Sequence, residues 1–125
     1  MTFAIDSESL HPTTELSLEA LVWLSSRISC RNILDMGCGN GMLSLVAAEI
    51  WDAQVLAVDI SQNAVDDTAR AAEEYGMSSK INAIRSDRFA HPAIAKTAPY
   101  DLVIANMLAE WLKEMAMDIK NHLKP

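Results

Sequence analysis

The sequence predicts an α/β fold, a parallel sheet flanked by helices, on two observations. Short apolar runs alternate with helical segments along the chain, a pattern that parallel strands joined by crossover helices require. The first of these runs also ends in a glycine-rich turn, Asp35-Met36-Gly37-Cys38-Gly39-Asn40-Gly41, immediately before a helical segment.

Each element has its own signal. Residues 13–29 read as an amphipathic helix, because Leu16, Leu18, Leu21, Val22, Leu24 and Ile28 recur near helical spacing and Thr13 or Thr14 can cap its start. Asn32–Met36 is a buried strand stopping at the glycine loop, and residues 41–51 return to helical character. Gln54–Val58 is the second strand, closed by Asp59. Ser61 is a good N-cap for a helix over 62–75, and Gly76 is placed to end it. Lys80–Arg85 is a third, weaker strand, followed by a loop from Ser86 to Pro99 that Pro92 and Pro99 punctuate. Tyr100–Ala105 is the fourth strand and residues 108–123 the last helix. Right-handed crossovers follow from this alternation. A chain of 125 residues has room for one domain, and it contains no internal repeat or low-complexity tract.

Ten Lys and Arg against 17 Asp and Glu give a net charge of −7. That balance argues against a broad nucleic-acid interface, which needs a basic face, and suits a basic protein partner. The N-terminus lacks the basic and apolar regions of a secretory signal, and no apolar stretch is long enough to span a membrane. Cys30 and Cys38 are too few for a disulfide framework or a zinc site, so a reducing, cytoplasmic setting without a bound metal is expected. Trp23, Trp51 and Trp111 read as core residues. Met107, Met115 and Met117 read as packing or as an adaptable interface.

The glycine loop carries the chemistry. Its glycines permit positive φ and close approach of a ligand to the main chain, and the helix behind offers free N–H groups to an anionic group. A dinucleotide fingerprint would want glycine at 37, 39 and 42, but position 42 is Met. Asp59, at the end of the second strand, either accepts both ribose hydroxyls of a nucleoside or caps the next helix; Ser61 already serves as the cap, which favours the ribose role. Asp87, in Ser86-Asp87-Arg88-Phe89, is either a solvated loop acid or, as the family resemblance given below implies, an acid that reaches an adenine amino group. Asn106 follows the fourth strand on the same sheet edge, where its amide oxygen can orient an amine or a cofactor group, or cap the last helix. Glu110 reads as an exposed helix acid, His11 as a ligand contact or a plain loop histidine, and no residue stands out as a general base.

Asp-x-Gly-x-Gly-x-Gly is the spacing of class I methyltransferases dependent on S-adenosylmethionine (SAM). Together with His11-Pro12-Thr13-Thr14, Ile33-Leu34-Asp35, Gly41-Met42-Leu43-Ser44, Val58-Asp59-Ile60 and Ala105-Asn106-Met107-Leu108-Ala109-Glu110, it makes residues 11–125 resemble the catalytic domain of the PrmA family, methyltransferases of a ribosomal large-subunit protein. The resemblance implies a Rossmann-like class I methyltransferase fold of strand order 3-2-1-4, and SAM as cofactor with S-adenosylhomocysteine as product. It places SAM contacts on Thr14, Gly37, Asp59 and Asn106, with Asp35, Cys38, Gly39, Gly41, Ile60 and Asp87 completing the candidate set. Asn106 is the candidate catalytic residue, orienting a protein nitrogen. An RNA or small-molecule methyltransferase, or a SAM-binding remnant without catalysis, are the alternatives.

Three departures from the family's pattern accompany this. Ile5-Asp6-Ser7-Glu8-Ser9-Leu10 lacks the glycines of a cofactor-covering segment, the family's separate recognition domain is missing, and the sequence stops where a relative continues into further strands. The domain is therefore expected to be incomplete, leaving the fourth strand as an unpaired edge; a homodimer, a domain-swapped or strand-paired assembly, a fragment of a longer product and a marginal monomer are the alternatives.

Overall fold

The structure, a computed structural model, describes residues 2–6 and 13–125, with side chains from Ser17 onward. Five strands form a parallel sheet: β1 (Thr2–Asp6), β2 (Asn32–Met36), β3 (Gln54–Asp59), β4 (Ile81–Arg85) and β5 (Leu102–Met107), in the order β1-β5-β2-β3-β4. Five helices accompany them: α1 (Thr13–Ser25), α2 (Met42–Trp51), α3 (Gln62–Glu74), α4 (Pro92–Thr97) and α5 (Ala109–His122).

The strands are nearly continuous apolar runs because both faces of the sheet are covered. Side chains alternate across the pleat. Ile33 packs with Leu21 of α1, Ala47 of α2 and Ala72 of α3, whereas Leu34 and Met36 pack with Ile94 of α4 and Met115 and Ile119 of α5. The result is three layers, helix on sheet on helix. From β2 the chain steps outward through β3 to β4, then returns across the sheet to place β5 on the other side of β2. The four strands expected from the sequence thus stand in the expected 3-2-1-4 order, and the topological switch point lies between β2 and β5.

The fifth strand corrects one expectation. β1 runs parallel to β5 from Thr2 opposite Val103 to Asp6 opposite Met107, so the fourth predicted strand is internal and not an open edge. The strand-formers Phe3 and Ile5 sit in an N-terminal stretch too short to stand out as a period. With β5 paired on both sides, a homodimer built on its free backbone loses its basis.

Smaller differences have local causes. The segment from Ser86 to Pro99 contains helix α4, with Pro92 in its first turn and the His91 imidazole Nδ1 accepting from the Ala93 amide at 3.0 Å. Proline is favoured at the first helical position, so Pro92 starts a helix there. Tyr100 precedes β5 and is fully buried, its hydroxyl donating to the Ile94 carbonyl at 2.6 Å. Two tryptophans expected in the core are outside it. Trp23 is 56% exposed beneath the Arg27 guanidinium, 3.7 Å from the ring centre, and Trp111 is 40% exposed. Trp51 is partly buried, its indole N–H donating to the Ile28 carbonyl at 3.0 Å. Met115 is buried but Met117 is exposed. His11 and the stretch 7–10 lie outside the described residues, as does the side chain of Thr14, in the first turn of α1.

Asp101 ties the start of β2 to β5. One carboxylate oxygen accepts from the amides of Arg31 at 2.8 Å and Asn32 at 2.9 Å, and the other pairs with Lys124 at 2.8 Å. Burial raises the pKa of this carboxyl, but Lys124 and the two amides outweigh it and hold the group below its usual range. Asp101→Ala leaves those amides without their acceptor and is expected to lower stability by about 1–2 kcal/mol in urea unfolding.

Asp35 is fully buried, on the β2 face toward α2, where the Ser44 hydroxyl donates to its Oδ2 at 2.5 Å. Its Oδ1 has no hydrogen-bond partner among the described residues. Burial drives its pKa up from 3.8 to about 6, partly opposed by Ser44 and reinforced by Asp59. On raising the pH, the unfolded chain releases this proton before the native one does, so stability falls between about pH 4 and 6, by roughly 3 kcal/mol. Relative to Asp35→Asn, the unmodified chain should lose most of this stability, about 2 kcal/mol, between pH 4 and pH 7 in urea titrations; a constant difference would contradict the assignment.

Candidate functional site

The glycine loop crosses the switch point because two backbones meet there. Gly37 leaves β2 at φ +84°, donates its amide to the Val58 carbonyl at 2.7 Å, and lies against the end of β5. A β-carbon on it would stand 2.6 Å from the Asn106 carbonyl oxygen. Both the backbone angle and the contact require glycine. Cys38 follows with its amide on the same Val58 oxygen at 2.9 Å. Its thiol is buried and pushed up to about 12 by desolvation, which makes it an inert packing group. Thr68 of α3 donates to the Gly39 carbonyl at 3.0 Å and closes the back of the loop at Gly41, whose β-carbon position it would touch at 3.0 Å.

Asp59 fastens the loop from the side. Its Oδ2 accepts from the Gly39 amide and its Oδ1 from the Ser61 amide, each at 3.0 Å. Ser61 is the residue that caps α3, accepting from Ala64 at 3.3 Å, so Asp59 is not the cap. Each carboxylate oxygen retains acceptor capacity after one hydrogen bond.

A cavity of about 420 Å³ opens in front of these groups at the carboxyl ends of the strands, the position where open α/β sheets take ligands. Gly37, Asp59 and Ile60 form one wall, Asp87 and Arg88 a second, and Asn106 with Trp111 a third. A smaller cavity of about 230 Å³ lies on the other side of the loop, between Ser17 of α1 and Cys38, Gly39 and Asn40, and Asn106 lines it too. Asn106 sits within β5, one residue before its end, and the α5 cap is Leu108. The capping role considered for Asn106 is therefore not the one it has. Its Oδ1 is buried and has no hydrogen-bond partner among the described residues, an arrangement that calls for a ligand donor.

The structure thus brings Gly37, Cys38, Gly39, Asp59, Ile60, Asp87 and Asn106 to the two cavities, while Asp35 and Gly41 line neither and support the loop from behind. Glu110 is exposed at the start of α5. Sequence reasoning missed Arg88, Trp111 and Glu114. Arg88 has φ +53° and pairs with Asp87 at 3.1 Å and with Glu114 of α5 at 2.6 Å, which holds its guanidinium firmly charged. Glu114 has no motif around it, and Trp111 looked like core by residue type. Among the described residues, no group of three or more His, Cys, Asp or Glu is placed to hold a metal ion, and no helix is long and apolar enough to cross a membrane.

Comparisons with known proteins give the family and the fold. The family model described as ribosomal protein L11 methyltransferase (PrmA) matches residues 9–125. Ribosomal protein L11 methyltransferases of Brucella suis (strain ATCC 23445 / NCTC 10510) and Rhodopseudomonas palustris (strain BisB5) are 35% and 33% identical over 115 residues, 92% of this chain and 40% and 39% of theirs. The chain therefore spans about two fifths of the length of these relatives. A ribosomal protein L11 methylase from Lactobacillus delbrueckii subsp. bulgaricus superposes with a TM-score of 0.75 at 24% identity, covering 90% of this chain and 55% of that one. An RNA methyltransferase from Salinibacter ruber in complex with S-adenosyl-L-homocysteine gives 0.71 at 19% identity, covering 94% and 71%. At these identities the two structures show the shared fold, and the family model, extending over residues 9–125, shows the kinship: the chain belongs to the ribosomal protein L11 methyltransferase (PrmA) family.

Proposed function

We propose that this chain binds SAM at the switch point and forms the cofactor-binding part of a methyltransferase acting on a protein nitrogen. The observation that carries the reading is the buried, unpartnered Asn106 Oδ1 at the junction of the two cavities, opposite the glycine loop and Asp59. Asp59 would take the ribose hydroxyls on its remaining acceptor sites, and Ile60 and Asp87 would face the base. Gly37 and Gly39 would let the ligand approach the main chain, with the methionine end toward the smaller cavity. When bound, SAM supplies a methyl group on a sulfonium, open to in-line displacement by a nucleophile.

Asn106 contributes orientation. Its amide oxygen can accept a hydrogen from an incoming amine and aim the nitrogen lone pair into the cavity. A lysine acceptor, with an ordinary pKa near 10.4, must enter deprotonated, which the apolar wall from Met36 and Trp111 assists by disfavouring the ammonium form. The relatives' names support ribosomal protein L11 as the acceptor, and the net charge of −7 suits a basic protein better than RNA. A cytoplasmic setting follows from that acceptor.

Calorimetric titration with SAM and S-adenosylhomocysteine tests the cofactor site. Asp59→Ala is expected to weaken both by about 100-fold, the loss of two hydrogen bonds to a charged acceptor. Equal binding by the folded variant contradicts the reading. Incubation with labelled SAM and ribosomal protein L11 then tests the acceptor: label on L11 supports it, whereas tight SAM binding without transfer to L11 contradicts the assigned substrate.

A further inference from the structure

Arg88 makes contacts that the cofactor reading alone does not require. It takes left-handed backbone geometry, φ +53°, which residues other than glycine, asparagine and aspartate seldom adopt. The turn is held in that form by Ser86, whose hydroxyl donates to the Arg88 carbonyl at 2.8 Å and accepts from the His91 amide at 3.0 Å. Ser86 is itself buried, and its amide donates to the Asp59 carbonyl at 3.0 Å. The conformation is therefore anchored to the strand end that carries Asp59. From it the guanidinium reaches two carboxylates on different elements. Its Nε meets Asp87 Oδ1 at 3.1 Å and its Nη1 meets Glu114 Oε2 at 2.6 Å, the latter 26 positions away on α5. Phe89 makes a second tie between the same two elements, its ring 4.8 Å from that of His122.

All three charged side chains are substantially exposed, with 41% of Arg88, 62% of Asp87 and 61% of Glu114 open to solvent. Ion pairs this exposed add little to stability, so their value lies in geometry. Arg88 occupies one oxygen of Asp87 and leaves the other for a ligand. It also fixes the distance between two walls of the larger cavity, the loop after β4 and helix α5. A lysine, with one point charge, does not reproduce a planar fork between two acids.

We infer that Arg88, bridging Asp87 and Glu114, is a positioning residue that presents the free Asp87 oxygen to the base of the nucleoside ligand and so sets the preference for a 6-amino over a 6-oxo purine. The inference rests on the cofactor reading above. A carboxylate accepts hydrogen bonds and donates none, so it favours an amino group and repels a carbonyl oxygen at the same place. Without the fork, Asp87 is an ordinary mobile surface acid and the distinction fades.

The test compares S-adenosylhomocysteine with its hypoxanthine counterpart by calorimetry on the unmodified chain, Arg88→Asn and Glu114→Gln. Asparagine tolerates the left-handed backbone, and Glu114 lies on an exposed helix face, so both variants keep the fold. The unmodified chain is expected to prefer the amino base by about tenfold. Arg88→Asn should reduce the preference to below about threefold through weaker binding of the amino base, with Glu114→Gln in between. An unchanged ratio in Arg88→Asn, or an equal loss for both ligands, overturns the inference. Equal binding of the two ligands by the unmodified chain overturns it as well. Binding of neither by the unmodified chain overturns the cofactor reading itself.

Discussion

The close approach of Gly37 to the Asn106 carbonyl is the contact on which the site depends. β2 and β5 are neighbours in the sheet, and their chains leave it in opposite directions, one into α2 and the other into α5. The crevice exists because the first chain can turn at φ +84° without a side chain while lying against the second. Any β-carbon there would push the end of β5 away, and with it the Asn106 side chain that both cavities share. The remaining contacts stabilise that turn. Val58 accepts two loop amides, Asp59 accepts a third, Thr68 closes the rear, and Asp35 sits buried beneath with Ser44.

Asp35 and Asp59 show how position decides the role of one residue type. Both lie at the carboxyl ends of strands beside the same loop, Asp35 one residue before the end of β2 and Asp59 at the end of β3. Asp35 has its side chain on the covered face of the sheet, where burial raises its pKa to about 6 and disfavours the charged form. Asp59 is only partly buried and faces the larger cavity, so its carboxylate remains in contact with solvent and with whatever enters. The first stabilises the loop as a hydrogen-bonding core residue. The second is available to a ligand.

Much of this arrangement was legible in the sequence. The strands starting at Asn32 and Gln54, the apolar run through Ala105, the cap at Ser61 and the placement of Gly37, Asp59 and Asn106 at one edge all follow from apolar period and turn chemistry. What was not legible depends on contacts between distant residues. β1 has five residues and no flanking period, so its pairing with β5 is a property of the sheet. Asn106 lies within β5 because pairing with β1 extends the ladder past Ala105, where β2 stops. The Arg88–Glu114 pair joins residues whose proximity the fold alone creates, and Trp111 faces the cavity because helix α5 is turned by its buried Met115 and Ile119.

The central claim is that a nucleoside ligand enters at the switch point between β2 and β5, against the glycine loop and Asn106. Titrating an isotope-labelled chain with S-adenosylhomocysteine, and following backbone and side-chain amide resonances by NMR, tests this directly. The account predicts saturable shifts concentrated at Gly37, Gly39, Ile60 and the Asn106 side-chain amide, with the separate depression between α2 and the end of α3, lined by Val46, Glu49, Tyr75 and Met77, unmoved. Shifts centred on that α2–α3 surface, or none at millimolar ligand, would contradict it.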